Sequence, residues 1–263
     1  MYMDNARGSG LQQYNEITQQ IIEKVKCTYQ VFPEGESLEK VNEVYKKALT
    51  RGRQEGFVPV LVKSDDTLAE WFGILEDESY SREETIRQGG KISGEEILEE
   101  RYAQYAGDYE EDFGNGSGDS SVIDELMGEM EDGEEINALT SFAKFSGDGI
   151  EETVLFEIPV KNPWEVIAWI PTGGWNECPE ASEMMAVCRY WYEAYGAVPA
   201  AFSHDEVEFL LEKAVEDEET AWKLAKEHYG FCPDRVDQGT RNGTIGEVAD
   251  SIRMSNVWYF WWD

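Results

Sequence analysis

The run Trp258-Tyr259-Phe260-Trp261-Trp262-Asp263 constrains this chain more than any other stretch. Successive large rings left in water would form an aggregation-prone patch, so the run has to be covered. Aromatic residues favour the pleated, half-buried surface of a sheet, and Val257 to Trp262 is expected to be a covered strand. The cover must come from elsewhere in the 263 residues. With 41% hydrophobic and 13% aromatic residues, including nine Trp, the chain can supply it and is too apolar to be disordered.

Charge is the second constraint. The chain holds 55 acidic and 22 basic residues, a formal net charge of -33. Residues 1–150 carry 33 acidic and 14 basic side chains, and the remainder 22 and 8, so the acidity belongs to the whole surface. Such a field repels phosphate backbones and anionic lipid surfaces, so neither nucleic acid nor membrane is expected as a partner. It attracts cations or a basic protein. Met1 to Gly10 lacks the apolar core of a secretion signal, and no stretch approaches the roughly 18 to 20 apolar residues of a membrane helix. Cys27, Cys178, Cys188 and Cys232 are scattered, as reduced thiols would be, and a cytoplasmic setting is expected.

Periodicity organises the chain into two halves. Ile17, Ile21, Ile22 and Val25 share a helical face, and Thr28 to Phe32 is strand-like. Leu38, Val41, Val44, Tyr45, Ala48 and Leu49 predict an amphipathic helix closed by Gly52. Phe57 to Val62 reads as a strand covered on both faces, and Thr67-Leu68-Ala69-Glu70 as a capping box opening the next helix. Residues 1–106 are therefore expected to form an N-terminal α/β region containing a βαβ unit. Between Arg101 and Lys144 there is no Lys or Arg and there are 12 carboxylates, so residues 107–150 are expected to be an acidic flexible linker or insertion, with a short helix near Val122 to Met130. Residues 151–263 are expected to be a C-terminal α+β domain. Its elements are strands at Val166–Ile170, Val198–Phe202, Val207–Leu211 and Val257–Trp262, with helices at Glu180–Tyr195, Glu218–Tyr229 and Ile245–Ile252. The fold class is α+β, and the order β-α-β-β-α-(α)-β matches a ferredoxin-like arrangement.

Tested against spacing, most chemical motifs fail. His228 and Cys232 lie four apart with Pro233 following, and Cys178 and Cys188 stand elsewhere, which is not zinc spacing. No register of the acidic middle satisfies a calcium loop, and Gly114-Asn115-Gly116-Ser117-Gly118 lacks the Gly-Lys-Ser/Thr of a phosphate loop. No metal or cofactor is expected. His204 and Asp205 occupy a turn where Asp binds local backbone; they are the catalytic candidates if a cleft forms there. Asp234, Asp237 and Gln238 either anchor a loop or converge on a ligand, and Trp262 and Asp263 join them as binding candidates.

Cys232-Pro233-Asp234-x-Val236-Asp237-Gln238-Gly239 followed by Trp258-x-Phe260-Trp261-Trp262-Asp263 resembles the bacterial domain of unknown function 4253 family. Ala225-x-Glu227-His228, Ser203-His204-Asp205 and Gly56-Phe57-x-Pro59-Val60-Leu61-Val62 with Asp66-Thr67-Leu68 are similar to it as well. That resemblance implies a soluble bacterial protein and brings no activity or cofactor. The acidic surface and the failed motifs favour a non-enzymatic binding protein, immunity-like in neutralising a basic protein partner. The alternative is an enzyme with a carboxylate/histidine site.

Overall fold

The computed structural model describes residues 14–114 and 121–263. Along the chain these form α1 (Glu16–Val25), β1 (Thr28–Phe32), α2 (Leu38–Glu55), β2 (Val58–Lys63), α3 (Asp66–Trp71), α4 (Arg82–Gly89), α5 (Gly94–Phe113) and α6 (Ser121–Met127). Next come β3 (Thr153–Ile158), α7 (Ala181–Tyr195), β4 (Val198–Phe202), β5 (Glu206–Leu210), α8 (Glu218–Phe231), α9 (Asp234–Asp237), α10 (Ile245–Met254) and β6 (Val257–Trp261). The class is α+β with a mixed six-stranded sheet.

The sheet runs β1-β3-β2-β4-β5-β6. Every neighbouring pair is antiparallel except β2–β4, which is parallel with Leu61 opposite Ala201 and Val62 opposite Phe202. Strands β1 and β2 run the same way, as a βαβ unit requires, but β3 lies between them. The expected N-terminal region and C-terminal domain thus share one sheet.

Alternation along the strands divides the core. Val60, Val62, Val207, Phe209, Trp258 and Phe260 join the larger core with α7, α8 and α10. Leu61, Leu155, Leu210 and Val257 face the smaller core, covered by Val41, Tyr45 and Ala48 of α2 and by Leu139, Phe142 and Ile150. In the larger core Trp191 sits at the centre of an aromatic cluster, with Phe231 at 5.0 Å, Phe209 and His228 at 5.3 Å, and Trp258 at 5.4 Å between centroids.

Three expectations need correction. Val166 to Ile170 is no strand: Pro163–Ala168 forms a 3-10 turn, set by proline in its first turn and by the Asn162 amide donating to Glu165 Oε1 at 2.8 Å. Its loss, with β6 beside β5, leaves β4-β5-β6 as an antiparallel meander in place of the ferredoxin-like order. The helix after β2 is capped not by Thr67 but by Asp65, whose Oδ1 accepts Leu68 N–H at 2.9 Å. The segment expected as a linker is largely ordered. Gly107 to Phe113 continue α5, and Leu126, Leu139, Phe142 and Ile150 are buried, while residues 115–120 lie outside the described residues.

Strand β6 is covered as expected, although it stands at the sheet's edge. Val257, Trp258, Phe260 and Trp262 are buried, and Val257 N–H donates to Ile136 O at 3.1 Å, so the middle segment shields part of that edge.

Candidate functional site

The parallel pair β2–β4 sends two turns out at its carboxyl ends, where open α/β sheets tend to bind ligands. Ser64-Asp65 leaves β2 and Ser203-His204-Asp205 leaves β4. His204 Nδ1 lies 2.5 Å from Asp65 Oδ2 and 3.4 Å from Asp205 Oδ1. With a carboxylate as acceptor, Nδ1 carries the hydrogen, which leaves Nε2 as the ring nitrogen open to a ligand. Nε2 makes no hydrogen bond among the described residues, and the His204 side chain is 36% exposed. Trp71, from the end of α3, stands edge-on to the imidazole at 6.3 Å, and Trp175 lies 6.1 Å from Trp71.

Both carboxylates are held in place. Asp65 uses one oxygen to cap α3 and the other for His204. Asp205 Oδ1 accepts Ser203 Oγ–H at 2.7 Å, and Oδ2 accepts the Trp261 indole N–H at 3.0 Å. Its main-chain oxygen accepts Trp262 N–H at 3.0 Å, so the end of β6 braces the His204 turn. Glu206 accepts Tyr259 O–H at 2.6 Å and lies 3.9 Å from Lys63 Nζ. Burial pushes its carboxyl above the usual range.

The other candidates form a second group. Asp234 Oδ2 accepts Asp263 N–H at 3.0 Å, and Asp234 Oδ1 accepts the Gln238 amide at 2.8 Å. The Gln238 amide also reaches Asp263 Oδ2 at 3.5 Å, and Asn176 donates to the Asp263 main-chain oxygen at 2.5 Å. Asp234 thus ties the end of β6 to α9. Asp237 does not join them. Exposed as a residue, it has its carboxyl pushed up to about 6 by desolvation from nearby protein and then by Asp234. Trp262 is a core residue: it is buried, with Phe231 at 5.3 Å, and its ring is closed to a ligand. His228 is also interior, stripped of water between Trp258 and Phe260, and burial holds its imidazole neutral well below the usual range.

The two groups are joined by β6 and by the loop carrying Trp175 and Asn176, so the Ser203-His204-Asp205, Asp234–Gln238 and Trp261–Asp263 segments meet at one end of the sheet. Residues 154–263 match the family model described as Domain of unknown function (DUF4253). No curated protein and no solved structure matches the chain. The matched segment contains nearly all of β3 and the whole of β4 to β6 but not β2, so Asp65, the partner of His204, comes from outside it. Sequence reading passed over Asp65 because Thr67 offered a plausible cap. The signal available was an Asp three residues before Leu68, directly after a strand.

The chemistry open to the cluster is proton transfer. Ser203 is buried and its hydroxyl is engaged by Asp205 and Glu206, which leaves it a structural residue. Burial pushes the Cys232 thiol up to about 12, far from a reactive thiolate. Among the described residues no group of three or more His, Cys, Asp or Glu is arranged to hold a metal ion. Nor is any described helix long and apolar enough to cross a membrane.

Proposed function

We propose that the protein is an enzyme using His204 as a general acid–base at the carboxyl ends of β2 and β4. One observation carries this reading: the imidazole of a partly exposed His204 is fixed by Asp65 through Nδ1 while Nε2 makes no hydrogen bond among the described residues. Asp65 sets the tautomer and orientation, and Asp205 adds a second carboxylate on the same side. The group on which His204 acts is presented to Nε2 beside Trp71. The test compares wild type with His204→Gln and Asp65→Asn on a fractionated metabolite extract, followed by mass spectrometry. Conversion of a compound by wild type that drops at least about a hundredfold in His204→Gln supports the reading, because general acid–base catalysis supplies on the order of 10² to 10⁴. Equal conversion by both proteins, or none, overturns it.

A second reading keeps the acidic surface at its centre: a protein that binds a basic protein partner in an immunity-like role. Phe145 favours it, standing fully exposed on the turn between Ala143 and Ile150 and suited to anchor such a contact. Phe145→Ser should then abolish a salt-sensitive association that His204→Gln leaves intact. The four free cysteines support a cytoplasmic setting for either reading.

A further inference from the structure

Two carboxylates compete for one ring nitrogen at the His204 turn. Nδ1 lies 2.5 Å from Asp65 Oδ2 and 3.4 Å from Asp205 Oδ1, and it has a single hydrogen to give. Asp65 stands on the turn after β2 and Asp205 on the turn after β4, so the choice between them sets how the imidazole leans and where Nε2 stands. Asp65 is nearer in space, but Asp205 is the next residue along the chain. What restrains Asp205 is the set of hydrogen bonds that it already accepts.

Counting hydrogens ranks those bonds. Ser203 Oγ lies 2.7 Å from Asp205 Oδ1 and 3.1 Å from Glu206 Oε2, and a hydroxyl has one hydrogen for the pair. The hold of Ser203 is divided. That of Trp261 is not: an indole N–H only donates, and Asp205 Oδ2, at 3.0 Å, is its one acceptor among the described residues.

Strand register brings the indole there. Trp261 lies opposite Glu206 across β5–β6, one residue along from Asp205. Its neighbours Phe260 and Trp262 are buried in the larger core, whereas Trp261 is partly buried and its ring packs in neither core. A large ring that adds nothing to either core is kept for its donor. Tyr259, two residues back on the same face, treats Glu206 alike, donating its O–H to Oε1 at 2.6 Å.

Resting on the acid–base reading of His204, we infer that Trp261 is a positioning residue for it: by occupying Asp205 Oδ2, the indole keeps that carboxylate from capturing Nδ1 and leaves His204 to Asp65. Trp261 acts through Asp205 and makes no hydrogen bond to His204.

The experiment follows the ring protons of His204 by NMR in the full chain at about pH 9, above the ordinary range of an imidazole. The chain has two histidines, and His204→Gln assigns their signals. Two variants calibrate the scale. Asp205→Asn removes the competing charge and marks the ring paired with Asp65. Asp65→Asn, in which asparagine still caps α3, marks the ring turned to Asp205. Wild type should lie at the Asp205→Asn end.

Trp261→Phe keeps a ring but removes the donor. It should move the His204 signals toward the Asp65→Asn end, since losing a bond to a charged group shifts such a balance by on the order of tenfold or more. Made in the Asp205→Asn background, the same substitution should leave them in place, because its effect runs through Asp205. Wild-type signals at the Asp65→Asn end, no movement with Trp261→Phe, or equal movement in both backgrounds would overturn the inference. Backbone amide spectra check that each variant is folded. The benzothiophene isostere of tryptophan at this position, with sulfur in place of N–H, repeats the test without changing the shape of the ring. His204 is read here without turnover, so this inference and the catalytic reading fail separately.

Discussion

Glu208 shows how a buried charge is tolerated in this molecule and what it costs. It sits on β5 with no exposed surface, facing the smaller core. Its carboxylate accepts the Thr140 N–H at 2.8 and 3.0 Å, the Ser141 N–H at 3.0 Å and the Thr140 hydroxyl at 3.2 Å. These donors favour the ionised form, yet burial outweighs them and pushes the carboxyl up to about 7 from an ordinary 4.5. The folded state therefore holds this proton more tightly than the unfolded chain. Its contribution to stability is full below 4.5 and is lost as pH rises to about 7, by on the order of 3 kcal/mol. Urea unfolding at a series of pH values should show that decline, and Glu208→Gln should remove it. The same slope in both proteins would assign the titration to another group. His228 has the opposite sign: its folded pKa is depressed, so its contribution is full above 6.5 and is lost as pH falls below that value.

At the scale of elements, the fold depends on close helix contacts that only small residues permit. On α8, Gly230 is so near α5 that a Cβ there would stand 2.5 Å from Leu98 O. Gly230→Ala should destabilise the protein by about 1 to 3 kcal/mol through displacement of backbone, measured by thermal or urea unfolding. An unchanged midpoint would show that α5 shifts freely over α8. Sequence periodicity located α2, α7, α8, α10, β2, β4, β5 and β6 because each has an apolar face or a run that local spacing reveals. It did not reveal β3, which has meaning only between β1 and β2, nor the cover that Leu139, Phe142 and Ile150 give the second face. Acidity over residues 107–150 hid sparse apolar positions, and a few well-placed ones suffice to hold a segment down. The site was half legible. His204 and Asp205 stood out in their turn, and Asp234 and Gln238 do meet Asp263. Asp65 was lost to a competing cap, and Trp71 reaches His204, with Trp175 behind it, through tertiary packing that no local pattern encodes.

For the whole molecule the decisive fact is that its sheet is not partitioned along the chain. The matched segment, residues 154–263, supplies β4-β5-β6 and nearly all of β3, but β2 stands between β3 and β4. Without residues 1–153 the parallel edge of β4 would be unpaired, and β3 would lose both neighbours. Leu98 of α5 and Val60 and Val62 of β2 would also leave the larger core, with Tyr102 and Tyr105 no longer covering Tyr229. Exposed strand edges and uncovered aromatic surface favour association over folding. A fragment of residues 154–263 produced alone should therefore aggregate or give an amide spectrum without dispersion. Adding residues 14–114 as a separate chain should restore a folded complex only if β2 can insert between β3 and β4. A monomeric fragment with well-dispersed amides and slow exchange across β6 would show that the matched segment folds by itself. In that case the β2–β4 pair, and with it the meeting of Asp65 and His204, would join two independent units rather than complete one sheet.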